Sequence, residues 1–188
     1  MLQVVIPSTE LYDETKEEFI QAKGQVLQLE HSLVSISKWE AKWKKPFLTK
    51  DQKTNEEILD YIRCMTLTQN VNPIIYSVIP RSVFEQIFAY IEDPMSATII
   101  TDLKTPGAPK KKSEIITSEL IYYWMTAYQI PFSCEKWHIN RLLTLIRVCN
   151  EETEAQNNPD KKKMSQSELY ARNKMLNAQR RAKLNSKG

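Results

Sequence analysis

Glycine is nearly missing from this chain: in 188 residues only Gly24, Gly107 and Gly188 occur. A loop that cradles phosphate needs glycines to bring backbone N–H groups close to the ligand just ahead of a helix. No such stretch exists, which excludes nucleotide-binding enzymes of the P-loop or Rossmann type. Histidine is as scarce, with His31 and His138 alone. The cysteines (Cys64, Cys134, Cys149) are odd in number and far apart, so they read as small buried hydrophobes rather than a disulfide framework. Cys134 and His138 stand four apart and can share a helix face, but two ligands fall short of a structural zinc site. No third group nearby orients them as nucleophile and base. Long apolar runs are also lacking: Leu120–Met125 is too short to span a bilayer. The opening MLQVV has no basic n-region and apolar h-region. The expectation is a soluble protein of a reducing cytoplasm, with no catalytic residues, no metal ligands, no cofactor and no membrane partner.

What is present is an uneven charge. Residues 160–188 carry Lys161, Lys162, Lys163, Arg172, Lys174, Arg180, Arg181, Lys183 and Lys187 against Asp160 and Glu168, a net +7. The whole chain nets +3, which leaves −4 on residues 1–159. A mildly acidic body therefore trails a basic arm, and such an arm seeks an acidic surface.

The hydrophobic pattern predicts a mainly α protein with a small N-terminal β element and a C-terminal basic helical arm. Residues 1–32 read as the β element packed on a helical body. Leu2, Val4 and Ile6 alternate with Gln3 and Val5 until Pro7. The runs Glu18–Gln21 and Val26–Leu29 flank a short loop with Gly24, which predicts a hairpin. Residues 33–150 read as the helical core domain. Ile36, Trp39 and Trp43 share a face ahead of Pro46. Thr54-Asn55-Glu56-Glu57 is a capping box opening a helix with Ile58, Leu59, Ile62 and Met65 on one face. Val83, Phe84, Ile87, Phe88 and Ile91 form a second stripe, stopped at Asp93-Pro94.

A short strand is expected at 97–101 and a loop at 102–113. The centre of the core is expected at 114–149, because a helix apolar all round at Leu120–Met125 must be enclosed. After Pro131, Ser133 is expected to cap a helix from Cys134 to Cys149, with Ile139, Leu142, Leu143 and Ile146 buried. Residues 151–163 read as a polar linker. Residues 164–188 read as the arm, opened by a capping box at Ser165–Glu168.

Candidate partner-binding residues fall in two groups. Trp39 and Trp43 lie among Lys42, Lys44 and Lys45, a mixture that can stack on bases, although i, i+4 spacing fits an inward stripe better. Tyr122, Tyr123, Trp124, Tyr128 and Trp137 can line a partner surface or belong to the core. In the arm, Leu169, Arg172, Met175, Leu176, Arg180, Arg181 and Lys183 fit a helix that docks on an acidic partner. The same cations fit phosphates of a nucleic acid, with steep salt dependence, or a solvated tail.

Two long strings, LEHSLVSISKWEAKWKKPFL (Leu29 to Leu48) and ITSELIYYWMTAYQIPFSCEKWHINRLLTLIRVCN (Ile116 to Asn150), resemble a family of small proteins from tailed bacteriophages. The ending LYARNKMLNAQRRAKLNSKG is similar to the same family. Its members look like tail-module proteins of the tail assembly chaperone type. The resemblance implies a non-enzymatic role in the host cytoplasm, binding tape-measure and tail-tube proteins while a tail is built. A structural component of the virion and a homo-oligomer are compatible with it. The family has no catalytic residues to carry over.

Overall fold

The computed structural model describes residues 1–13, 17–98 and 115–157, together with Tyr170, Lys174 and Met175. Helix predominates, beside two small antiparallel two-stranded sheets. The described residues form two compact units, Met1–Arg147 and Val148–Gly188.

The N-terminal strands are β1 (Leu2–Ile6), β2 (Thr9–Asp13), β3 (Glu18–Ala22) and β4 (Gln25–Leu29). The expected hairpin around Gly24 does not form. Strand β1 pairs with β4, from Leu2↔Leu29 to Ile6↔Gln25, and β2 pairs with β3, from Thr9↔Ala22 to Asp13↔Glu18. Both ladders keep one register, so they are two halves of a single long hairpin that lapses where Pro7–Ser8 faces Lys23–Gly24. Pro7 has no N–H to give a ladder. Gly24 is required there for closeness rather than for turning. A Cβ on it would lie 2.9 Å from both the Ile6 carbonyl oxygen and the Ser8 nitrogen. Ser8 Oγ bridges the lapse by donating to the Ala22 carbonyl at 3.1 Å.

The inward side chains of β1 and β4 (Val4, Ile6, Leu27, Leu29) are buried, while Val5 and Val26 face out, the alternation that a pleated strand imposes. The chain then covers the outer edge of β4 itself. Leu67 N–H donates to the Gln28 carbonyl at 2.8 Å, and Glu30 N–H to the Met65 carbonyl at 2.9 Å.

Five α-helices are described along their length, α1 (Leu33–Trp43), α2 (Asn55–Met65), α3 (Arg81–Glu92), α4 (Ser118–Ala127) and α5 (Ile139–Asn157), and Tyr170, Lys174 and Met175 are helical as well. The capping box of α2 forms as its sequence predicts: Thr54 Oγ1 accepts from Glu57 N–H, and Glu57 Oε2 accepts from Thr54 N–H at 2.7 Å. A second box, Ser32 with Ser35, opens α1. Lys44 ends it in the left-handed region, φ 55°, ahead of Pro46.

Two expectations for the later helices need correction. Helix α4 is not enclosed all round: Ser118, Ile121 and Met125 are buried, whereas Tyr123 is 66% exposed. Its aromatics have polar tips and sit comfortably at a boundary. The core is accordingly not centred on 114–149; its fully buried members include Leu27, Leu29, Leu33, Ile36, Trp39, Ile62 and Met65 as well as Ile121 and Met125.

Helix α5 starts later than expected. Residues Phe132–Lys136 form a 3-10 turn that has Pro131 at its N-cap and Ser133 inside it. His138 caps α5 instead, its Nδ1 accepting from Asn140 N–H at 3.3 Å. Ile139, Leu142 and Ile146 are buried as the stripe requires, whereas Leu143 is only half-buried. With no proline or glycine before Pro159 to stop it, α5 runs on to Asn157, through the first part of the stretch expected to be a linker. Ala97 and Thr98 are not in a strand. Residues 99–101 of that expected strand, the loop 102–113 and the capping box at Ser165–Glu168 lie outside the described residues.

Candidate functional site

The site follows from how much of each apolar stripe the fold covers. Helix α2 meets α1 on one side. Trp39, 1% exposed, lies in that seam and donates its Nε1–H to the Glu57 carbonyl at 2.9 Å. Its ring packs on Phe47 (5.1 Å between centroids) and on Trp43 (6.1 Å), and Phe47 stacks on Tyr61 at 3.9 Å. Trp43 Nε1 donates to Asp60 Oδ2 at 2.9 Å, Lys42 pairs with Asp60, and Lys45 pairs with Glu57 at 2.6 Å. The Lys45 ammonium and the Thr54 N–H hold the Glu57 carboxyl below the usual carboxylate range. Trp39 thus offers no surface to a partner, and Trp43 and the neighbouring lysines Lys42 and Lys45 are occupied in closing the seam.

The other side of α2 is open. Ile58 and Leu59 stay half-buried although the stripe predicted them inside with Ile62 and Met65. Facing them on α3, Phe84 is half-buried and Phe88 is 42% exposed, while Val83 and Ile87 of the same stripe are covered. Ile58, Leu59, Phe84 and Phe88, with Tyr76 and Ile79, line a groove of about 490 Å³ between α2 and α3. The 3-10 turn Pro73–Val78 contributes Tyr76 to it. Such a groove matches the apolar face of a helix read at i, i+3 and i+4.

A second surface lies on α4 and the turn after it. Tyr123 is exposed, and so is Phe132 at 58%. Tyr122 stands 6.3 Å from Phe132 and donates its hydroxyl to Glu135 Oε2 at 2.9 Å. Burial and that carboxylate push the phenol of Tyr122 up to about 12. Trp124 and Tyr128 are half-buried. Trp137 carries the Arg141 guanidinium over its ring at 4.2 Å, an arrangement worth up to about 1 kcal/mol at an exposed site. Of the arm residues singled out, Met175 is exposed; Leu169, Arg172, Leu176, Arg180, Arg181 and Lys183 lie outside the described residues.

The two histidines are used inside the fold. Their rings meet edge-on at 5.0 Å. His138 Nε2–H donates to the Tyr90 carbonyl at 2.9 Å while Nδ1 takes the Asn140 N–H, so both nitrogens are engaged in a neutral ring. His31 Nδ1 bonds the Tyr61 hydroxyl. Burial, helped by His138, lowers His31 to about 3, and burial likewise lowers His138. Cys134 is on the 3-10 turn, not on a helix face with His138. Among the described residues no group of three or more His, Cys, Asp or Glu can hold a metal ion, and no helix is long and apolar enough to cross a membrane.

Glu40 shows the same inward use of polar groups. Nearly buried, it accepts from Phe47 N–H at 2.7 Å through Oε1 and from Ser118 N–H at 2.8 Å through Oε2. It thereby fixes the start of α4, a residue role that sequence reading missed because the partner lies 78 positions away. The groove was missed too, since a stripe shows which residues are apolar and not which are covered. Comparison with protein families, with curated proteins and with solved structures finds no match to this chain.

Proposed function

We propose that this protein is a non-enzymatic bacteriophage tail morphogenesis factor of the tail assembly chaperone type, acting by binding tail proteins such as the tape measure. The observation that carries the reading is the open apolar groove between α2 and α3. Its lining belongs to two helices whose stripes are wider than the fold covers. A helical client with spaced apolar anchors fits such a groove without any change in the carrier's fold. The resemblance of Leu29 to Leu48 and Ile116 to Asn150 to small tailed-phage proteins motivates tail proteins as that client. His138, Glu40 and Asp60 each bind neighbours within the fold, in keeping with a role through surfaces.

The test is co-purification of the tagged protein from cells infected by its phage, set beside the protein content of finished particles. Capture of tail proteins, with the chain absent from particles, is the expected result. Stoichiometric presence in purified particles would make it a structural component instead. Capture of nucleic acid that survives physiological salt, with no tail protein, would overturn the reading in favour of the basic arm.

A further inference from the structure

The two halves of the long hairpin are covered differently. The β1–β4 half buries one face and has the edge of β4 paired by residues 65–68. The β2–β3 half is held through β3, which packs on the 3-10 turn Pro73–Val78. Among the described residues no strand, bridge or backbone hydrogen bond from another element covers the outer edge of β2. A two-stranded ladder with a free edge is marginal alone, and an uncovered edge is a template for a further strand.

The outward face beside that edge is aromatic. Tyr12 and Phe19 are paired across the ladder with ring centroids 5.1 Å apart, and they are 53% and 74% exposed. The segment 8–24 is net acidic, with five acids against Lys16 and Lys23. Glu10, Glu17 and Glu18 are exposed on this half. A second copy added at β2 would bring its own Glu10 against these acids, which disfavours self-pairing. A basic strand would meet opposite charge, with its lysines or arginines beside the rings of Tyr12 and Phe19.

We infer that the outer edge of β2 docks a basic, extended segment of another protein as a third strand. Main-chain hydrogen bonds to the free edge hold it, and the acids and the Tyr12–Phe19 pair select its side chains. The inference is independent of what fills the groove between α2 and α3.

The experiment uses the full-length protein and a fluorescent seven-residue peptide alternating valine with lysine or arginine, beside the same peptide with glutamate in place of the cations. The basic peptide raises its anisotropy on binding, and the acidic one does not. Affinity falls as salt rises. Glu10→Lys weakens binding about threefold, and Tyr12→Ala about fivefold, for contacts of the cross-strand and ion-pair kind. Bound peptide slows amide exchange in β2. Both positions are exposed, and unchanged circular dichroism melting shows that the variants fold. Equal binding of the acidic peptide, no binding at all, or binding indifferent to the variants overturns the inference. So does concentration-dependent self-association lost in Tyr12→Ala, which would assign the edge to a second copy.

Discussion

Helix α2 has one closed side and one open side, and the two are built from the same kind of residue. Toward α1, Trp39, Phe47 and Tyr61 interlock, and Asp60 and Glu57 each take a lysine and a further hydrogen bond. Toward α3, Ile58 and Leu59 face Phe84 and Phe88 across an unfilled groove. Aliphatic and aromatic content does not separate the two sides. Polar closure does: the α1 side has charges that tie the helices together around the rings, and the α3 side has none among its lining except the exposed Arg81, which pairs with Glu85 on its own helix. A seam closed in this way is part of the fold, whereas an apolar surface left unclosed is available for binding.

This comparison can be broken from the closed side first. Trp39→Ala empties the seam and removes the bond to Glu57, so unfolding free energy in urea is expected to drop by about 3–5 kcal/mol. Glu40→Ala leaves the N–H groups of Phe47 and Ser118 without their acceptor; a loss of about 1–3 kcal/mol for each such group is the upper range. Faster amide exchange at the start of α4 would report the same event locally.

Acid should act on the closed region through His31. Its folded value near 3 lies below the unfolded value of 6.5, so only the unfolded chain takes the proton between these limits. Stability therefore falls as pH drops below about 6.5, by at most about 1.4 kcal/mol per pH unit for this one group. Melting temperature followed from pH 7 to pH 4 checks the sign. The smallest effect on stability belongs to the open side: Leu59→Ser with Phe88→Ser is expected to change unfolding by less than about 1 kcal/mol per position, while capture of the client falls about tenfold or more, as loss of central apolar anchors does.

Local signals in the sequence carried well. The Thr54–Glu57 box and the inward spacing of Trp39 are decided within four residues of chain, and both stand in the fold. Non-local matters were illegible. The pairing of β1 with β4 depends on both strands lapsing together at Pro7 and Gly24, and a glycine between two apolar runs looks like a turn until its neighbours are known. The start of α5 was misplaced because His138, held between His31 and Tyr90, supplies the cap that local preference assigned to Ser133. The open groove depends on how α2 and α3 are set against each other, which no single stripe reveals.

The most direct test of binding through the open side is photo-crosslinking in infected cells. A benzophenone amino acid is placed at Phe88 in the groove or at Tyr123 on the other exposed aromatic surface. Crosslinks to a tail protein from position 88, and far fewer from position 123, are the expected result. Tail-protein crosslinks from position 123 with none from position 88 would contradict the account.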